Sequence, residues 1–375
     1  MAYGTVNADV IGTSVAGSNL GAGNASIMKN RIINGAMVIS QRNGTSSVSQ
    51  TNGSYSLDRW QSVSYTGGAT TGKFTVAQSS TAPAGFINSL LVTSSTALSP
   101  SSTDIYYVGQ IIEGYNIADL GWGTSNGKSI TVSFQVQSSL TGTFSAGLRN
   151  QNGTYSFPFT YTISSANTWT SVSVTIPAPP VGGTWQTDNS FGLALYINLQ
   201  LGSANSAAAT GAWQAVGVYG ASGCVNLLAT NGATLNLTGV QLEVGSSATG
   251  FEYVNYQTSL ANCQRYYYNL ETGYAAGAGQ PIGLAFGIST SLFDVCVPFP
   301  VTMRTTPSIY QNTGTNYYQF YNALTAQNFT SFKIDQVSTT SIFLQNNSAI
   351  TLTVGQGGVV YANNTNCQVG FSAEL

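Results

Sequence analysis

The sequence of 375 residues is long enough for two domains of ordinary size and a short extension. Charged residues make up only 6% of the sequence, and the net charge is −2. The sequence has no run of basic residues, which argues against nucleic-acid binding. Because 42% of the residues are hydrophobic, the chain can form a core. Because so few residues are charged, its polar surface must consist largely of Ser, Thr, Asn, Gln and Gly. Such a surface suits neutral partners, such as glycans or other protein subunits.

The first segment, residues 1–28, is rich in Gly, Ala, Ser and Asn and carries one charge, Asp9. A segment of this composition cannot bury a core of its own, so we predict an extended arm that orders only against another molecule. A disordered tail is the alternative. The segment lacks the charged and apolar regions of a signal peptide. No stretch of the sequence reaches the ~18 apolar residues of a membrane helix. We therefore expect a protein made in the cytosol, without membrane insertion.

From Met37 onward the hydrophobic residues alternate with a period of two, which is typical of β-strands. Clusters of Gly, Asn and Ser separate the strands as turns. About a dozen strands precede Tyr253 at the spacing of a sandwich, so we predict a jelly-roll β-sandwich over residues 29–254. The clearest strands are 129–137, 169–176, 193–199 and 235–242.

A short helix is predicted at 259–270, after which the alternation resumes. Residues 255–375 are therefore predicted to form a smaller C-terminal β-sandwich-like domain, joined to the first through residues 255–265. The fold class is all-β throughout. Trp60 and Trp169 lie in strand patterns and are predicted to be core residues.

The sequence contains no histidine, which removes the commonest general base and the commonest metal ligand. Its four cysteines show no close pair of the kind that binds zinc, and we interpret them as small buried side chains. They are Cys224, Cys263, Cys296 and Cys367. We predict no catalytic residue, no metal site and no cofactor.

Glycoside hydrolysis by two carboxylates is the one enzymatic hypothesis that the composition leaves open. The candidate acids are Asp104, Glu113 and Asp119 in one region, and Glu271 and Asp294 in the C-terminal domain. Twelve acids in a chain of this length give such near-pairs by chance, so we expect them to bind nearby basic groups instead.

Aromatic residues remain as candidates for ligand binding, since the chain has 21 Tyr, 16 Phe and 5 Trp. Three tryptophans among Gly, Thr, Asn and Gln indicate loops in which an indole can stack on a sugar ring, although loop anchors give the same pattern. A group of tyrosines after a polar loop indicates a glycan-binding surface or a subunit interface. The glycan-binding candidates are Trp122, Trp185, Trp213, Tyr310, Tyr317, Tyr318 and Tyr321.

Several short motifs occur in an order that resembles a family of tailed-bacteriophage virion proteins, described as tail-fibre, receptor-binding or minor structural proteins. Among them are Lys-Asn-Arg-Ile-Ile-Asn-Gly-Ala-Met at 29–37, Tyr-Ser-Leu-Asp-Arg-Trp at 55–60, and Gly-Val-Gln-Leu-Glu-Val-Gly at 239–245. The likeness extends over nearly the whole chain from residue 29 to the ending Phe-Ser-Ala-Glu-Leu at 371–375.

The resemblance implies a jelly-roll similar to carbohydrate-binding modules, assembly as a homotrimer, and location in the virion. It also implies that residues 1–28 dock on other phage virion proteins and that the fibre binds host surface polysaccharide. Two alternatives stay open: a purely structural head-fibre, decoration or collar protein without glycan binding, and a polysaccharide depolymerase. We expect the charged and amide residues of the motifs to make framework contacts.

Overall fold

The structure, a computed structural model, describes residues 28–66, 69–70, 72–272, 280–322 and 325–375. The predicted arm lies outside these residues except for Met28. The chain divides into two compact units, one comprising Met1–Val38 with Asn43–Val254 and the other Ile39–Arg42 with Asn255–Leu375. Strands dominate both units, which confirms the all-β class. Within the described ranges, no helix has the length and apolar character needed to cross a membrane.

The described residues of the first unit form fifteen strands and four short 3-10 turns. The strands, in chain order, are β1 (Val48–Ser49), β2 (Ser54–Leu57), β3 (Trp60–Thr66), β4 (Ala69–Thr70), β5 (Phe74–Ser79), β6 (Ser89–Ser94), β7 (Ile105–Glu113), β8 (Ile130–Ser138), β9 (Gly142–Asn150), β10 (Ser156–Ile163), β11 (Thr170–Ile176), β12 (Phe191–Leu201), β13 (Ser206–Ala207), β14 (Gly220–Ala221) and β15 (Thr234–Val244). The 3-10 turns are Gly114–Asn116, Ala118–Leu120, Ser203–Asn205 and Leu227–Ala229.

Two antiparallel sheets of these strands form the predicted sandwich. One sheet has the order β1-β5-β6-β15-β8-β11, and the other has the order β10-β9-β12-β7-β3-β2 with β4 paired to β3. The alternation read from the sequence places one side of each strand between the sheets, because successive side chains of a strand point to opposite faces. On β8 and β12 the core residues are Ile130, Val132, Phe134, Val136, Leu193, Leu195, Ile197 and Leu199.

The motif at 29–37 is bound to β15 and to Trp60 through its asparagines. The Asn30 Oδ1 accepts hydrogen bonds from the backbone N–H of Ile32 and Leu242, at 2.9 and 3.0 Å. The buried Trp60, confirmed as a core residue, donates its indole N–H to the Asn34 carbonyl at 3.1 Å. The motif therefore stabilises the framework of the first unit.

The long segment of the second unit, Asn255–Leu375, opens with the helix α1 (Tyr256–Gln264), which starts somewhat earlier than the predicted 259–270. The Asn255 side chain caps its N-terminus by accepting from the Thr258 N–H at 2.9 Å. The predicted C-terminal half is instead a strand, because Tyr267–Thr272 pair with the last strand of the chain.

Ten strands follow in the described residues of the second unit. They are β16 (Tyr267–Thr272), β17 (Gln280–Gly287), β18 (Phe293–Pro298), β19 (Ser308–Gln311), β20 (Tyr318–Tyr321), β21 (Ala326–Phe329), β22 (Phe332–Val337), β23 (Ser341–Asn346), β24 (Gly357–Ala362) and β25 (Gln368–Ser372). A three-stranded sheet has the order β16-β25-β19 and a seven-stranded sheet has the order β21-β20-β24-β17-β18-β23-β22. Their shared core is the second apolar cluster of the chain.

Candidate functional site

Three loops of the first unit bring together Trp122, Trp185 and Trp213, which we call the tryptophan cluster. Trp122 precedes β8, Trp185 lies between β11 and β12, and Trp213 lies between β13 and β14. Their ring centroids are 4.8, 5.5 and 5.6 Å apart, and every pair is in the edge-to-face geometry that aromatic quadrupoles favour. The structure thus joins three residues that the sequence could only place singly in loops.

Each indole N–H of the tryptophan cluster is bound to a backbone carbonyl. Trp122 donates to Lys128 at 2.7 Å, Trp185 to Gly182 at 3.3 Å, and Trp213 to Pro177 at 2.8 Å. Trp122 is buried, with 7% of its surface exposed, whereas Trp185 and Trp213 are part-exposed. The rings are therefore fixed in place, and only those of Trp185 and Trp213 offer an accessible surface.

Further aromatic rings and exposed valines surround the tryptophan cluster. Tyr155 stacks on Trp185 at 6.3 Å, and Phe157 contacts Trp213 edge-to-face at 5.4 Å. Val181 and Val216, in the same two loops as these tryptophans, are 68% and 52% exposed. A fixed aromatic surface of this kind can pack against the C–H groups of a sugar ring or against the apolar surface of a protein.

The tryptophan cluster lies at the end of the sandwich where β11 ends and where β8 and β12 begin. Trp169, which is neither in the cluster nor in the core, precedes β11 at the opposite end of that strand. Eight extended residues separate it from Pro177, a distance of about 26 Å at ~3.3 Å per residue. Trp169 was predicted to be a core residue, which is wrong: it is part-exposed because it lies before the first strand residue, Thr170.

The four candidate tyrosines of the second unit do not form one surface. Tyr318 is fully buried between Phe329 and Phe332, and its hydroxyl lies 2.8 Å from the Asn312 carbonyl oxygen. Tyr318 therefore belongs to the core. Tyr317 packs part-buried against the same core.

Tyr310 and Tyr321 are exposed on different sheets. Tyr310, 42% exposed on β19, contacts Tyr267 at 6.0 Å. Tyr321, 44% exposed on β20, contacts Tyr361 at 6.5 Å. Each thus offers a single ring at the surface, and the prediction that they bind glycan remains a prediction.

The sequence reasoning missed a second aromatic group in the first unit, formed by Tyr107, Tyr196 and Tyr219. Their ring centroids lie 4.5 to 5.8 Å apart on the outer face of the β12–β7 sheet, and the Arg149 guanidinium lies 4.8 Å from the Tyr219 ring. Burial raises the pKa of Tyr107 and of Tyr196 above the ordinary value, so both phenols stay neutral. The sequence did contain one indication of this group: Tyr196 alternates with the core leucines of β12 and therefore had to lie on the opposite face of the sheet.

Two of the candidate carboxylates, Asp104 and Glu113, are too far apart for a glycosidase pair. Asp104 precedes β7 and Glu113 ends it, so about nine extended residues, or ~30 Å, separate them, far beyond the ~5–9.5 Å of such pairs. Asp119 forms an ion pair with Arg31 at 2.8 Å, and Asp294 accepts from Gln345 at 3.0 Å.

The cysteines are free thiols, of which Cys263 and Cys367 are buried. Cys296 was predicted to be buried and is exposed, because it lies on the outward-facing side of β18. Cys224 is partly buried. Among the described residues, no group of three His, Cys, Asp or Glu side chains is placed to hold a metal ion.

No protein-family model and no curated protein matches the chain. Among solved structures, the chain is similar to the enzymatically active domain of tailspike protein 4 of bacteriophage CBA120, with 13% identity over 58% of this chain and 21% of that one and a TM-score of 0.29. A putative sugar-binding protein from Bacteroides thetaiotaomicron matches with 16% identity over 58% of this chain and all (100%) of that one, at a TM-score of 0.31. The CBM22-1 xylan-binding domain of Xyn10C from Paenibacillus barcinonensis matches with 10% identity over 55% and 99% of the two chains, at 0.26.

This chain spans about a fifth of the tailspike chain that it matches. At these identities the likeness concerns the β-architecture alone, and the functional proposal depends on the residues of this chain.

Proposed function

We propose that this chain is a subunit of a phage fibre that binds neutral glycan on the host surface through the tryptophan cluster. The observation that carries the proposal is the meeting of three tryptophans from three separate loops, with Trp185 and Trp213 part-exposed and flanked by further aromatic rings. The protein acts by binding alone, without turnover of the glycan.

The cluster is suited to this role because its rings are already in their final positions. The indole hydrogen bonds and the edge-to-face contacts hold Trp185 and Trp213, so a ligand need not immobilise them. Stacking on one or two rings gives modest affinity at each site. Three copies in one fibre, and several fibres on one particle, then raise the avidity without any new contact.

The virion part of the proposal is supported by the order of the sequence motifs, which resembles phage fibre and receptor-binding proteins. In this proposal the chain forms a homotrimer, and residues 1–28 attach it to other virion proteins. Lys29 and Asn30, which contact the sandwich, are retained when residues 1–28 are deleted. We expect the truncated chain to fold but to be missing from assembled particles. Normal incorporation would show that attachment lies elsewhere.

A purely structural role, as a head-fibre, decoration or collar protein, is the second candidate. It is favoured by the hydrogen bonds that tie each indole N–H to loop backbone, since anchoring of loops alone would also explain them. In that case the cluster stabilises the end of the sandwich and no glycan is bound.

Substitution of Trp185 separates the two roles. We expect Trp185→Ala to weaken binding of the purified protein to host polysaccharide at least tenfold, and Trp185→Phe, which keeps a ring, to retain most of it. Trp169→Ala is the matched control, because Trp169 is also part-exposed but lies at the other end of β11. Equal binding by the wild type, Trp185→Ala and Trp169→Ala would contradict glycan binding by the cluster.

A further inference from the structure

A polar cavity of about 360 Å³ opens at the far end of β12 from the tryptophan cluster. Asn198 and Gln200 of β12 and Ser145 of β9 line it, together with loop segments at 100–102, 201–206 and 221–226. Its volume falls within the ~300–1,000 Å³ of small-molecule sites, near the lower limit. The cavity thus has room for a ligand of one or two rings.

The lining of the cavity is neutral. None of its lining residues, all in the described part of the chain, is Asp, Glu, Lys or Arg. Burial raises the pKa of the Cys224 thiol, so this group is protonated as well. Hydroxyl and amide groups therefore provide the polar surface, and Leu201 and Val225 provide apolar surface.

The Gln200 amide is buried without a hydrogen-bond partner. Only 4% of the residue is exposed, and neither its Nε2 nor its Oε1 has a partner. The equally buried Gln110 is different, because its Oε1 accepts from the Ile33 N–H and its Nε2 donates to the Ile33 carbonyl, both at 2.8 Å. Buried amides are normally satisfied, so an unpaired one that lines a cavity indicates a missing partner.

Asn198, beside Gln200 in the cavity, is half-satisfied. Its Nδ2 donates to the Ser145 Oγ at 3.0 Å and to the Tyr219 carbonyl at 3.1 Å, which fixes the orientation of the amide. Its Oδ1 has no partner. The lining residues of the cavity thus carry one amide nitrogen and two amide oxygens that lack partners and are almost without exposed surface.

We propose that this cavity binds a single neutral sugar unit, held by hydrogen bonds to Gln200 and Asn198. In this proposal the Gln200 side chain turns toward the ligand on binding. Neighbouring hydroxyls of a sugar can each donate and accept, so one hydroxyl then binds the Gln200 Nε2 and the next binds its Oε1 or the Asn198 Oδ1. A phosphate or carboxylate ligand would lack a cation here. The ligand class rests on the proposed glycan binding, although the cavity is a separate site from the tryptophan cluster.

Saturation-transfer NMR with free monosaccharides tests the proposal. The probes are glucose, galactose, mannose, rhamnose, N-acetylglucosamine and N-acetylgalactosamine, with glucuronate as the charged comparison. The protein carries Trp185→Ala and Trp213→Ala, so that neither accessible ring of the tryptophan cluster contributes to the signal. We expect at least one neutral sugar to give a signal and glucuronate to give none.

Two added substitutions locate the signal. Gln200→Met preserves side-chain size and removes both free amide atoms, and Ser222→Trp, at an exposed lining position, fills the cavity from its rim. Each should lower the signal at least fivefold. Gln135→Met, the same change on the outer side of β8, should leave it unchanged.

Equal signals from the protein with and without Gln200→Met and Ser222→Trp would overturn the proposal, and so would the absence of a signal from all six neutral sugars. The results also distinguish an error in the cavity proposal from an error in the proposed function. If polysaccharide binding is lost with Trp185→Ala while the cavity variants change nothing, only the cavity proposal fails. If the cavity variants abolish the sugar signal while Trp185→Ala leaves polysaccharide binding intact, the cavity stands and the role of the tryptophan cluster fails.

Discussion

The Trp213 indole donates a hydrogen bond to the Pro177 carbonyl oxygen at 2.8 Å. Pro177 follows the last residue of β11, and Trp213 lies 36 positions further along the chain in another loop. This bond fixes the Trp213 loop against the end of β11, and the edge-to-face contact of Trp213 with Trp122 connects the third loop. Aromatic contacts and indole hydrogen bonds thus hold the three loops in a defined arrangement.

The buried member of the cluster should contribute most to stability. Replacing Trp122 by alanine removes a buried ring that contacts both other tryptophans, and we expect a loss of about 3–5 kcal/mol in the free energy of unfolding. Urea unfolding measures it, with the part-exposed Trp169→Ala as the comparison. Equal losses in the two variants would contradict a core role for Trp122.

Gly35 is required at its position by close approach of the backbone. A Cβ added there would lie 2.1 Å from the Val240 carbonyl oxygen, so Gly35→Ala should destabilise the first unit by about 1–3 kcal/mol, as overpacking does. Gly250→Ala is the matched control, since its added Cβ meets no atom within 4 Å. A Gly35→Ala variant with the unfolding midpoint of the wild type would show that the motif can move away from β15.

Buried tyrosines should make the fold sensitive to alkali. The pKa of Tyr196 is raised above its ordinary value of 10.0, mainly by burial and to a smaller extent by the neighbouring Tyr219. The unfolded chain therefore releases this proton first, and the stability present below pH 10 falls as the pH rises above it, by up to about 1.4 kcal/mol per pH unit. Urea unfolding from pH 9 to 11.5 should show a shallower decline for Tyr196→Phe. Parallel declines in the two proteins would count against this account.

The proposed trimer can be measured directly. No charged residue lies between Asp188 and Glu243, and a surface with so little charge is suited to subunit contact. Light scattering of the purified protein at micromolar concentration should give about three times the chain mass of 39.1 kDa. A mass equal to one chain would rule out the trimer under these conditions.

The strands were predictable because alternation depends only on neighbouring residues. The pattern at 130–136 placed Ile130, Val132, Phe134 and Val136 on the core face, as found. Helix α1 was shifted because pairing of Tyr267–Thr272 with β25, a contact across the sequence, decides where the helix must end. The sequence could name Trp122, Trp185 and Trp213 as loop residues, but their meeting depends on which loops share one end of the sandwich.

The residues of the polar cavity were not predictable for a related reason. Asn198 and Gln200 are ordinary polar residues on the outer side of an alternating strand, a position that normally faces water. They are buried because distant segments, including 221–226, cover that face. Whether an amide lacks a hydrogen-bond partner depends on the positions of all neighbouring groups, which only the folded structure gives.

The most direct test of glycan binding by the tryptophan cluster is ¹⁵N NMR of the five indole N–H groups during titration with fragments of host polysaccharide. The account predicts that the resonances of Trp185 and Trp213 shift with a common saturation curve, while those of Trp60 and Trp169 stay in place. Saturable binding of the fragments with the Trp185 and Trp213 resonances unmoved would contradict it.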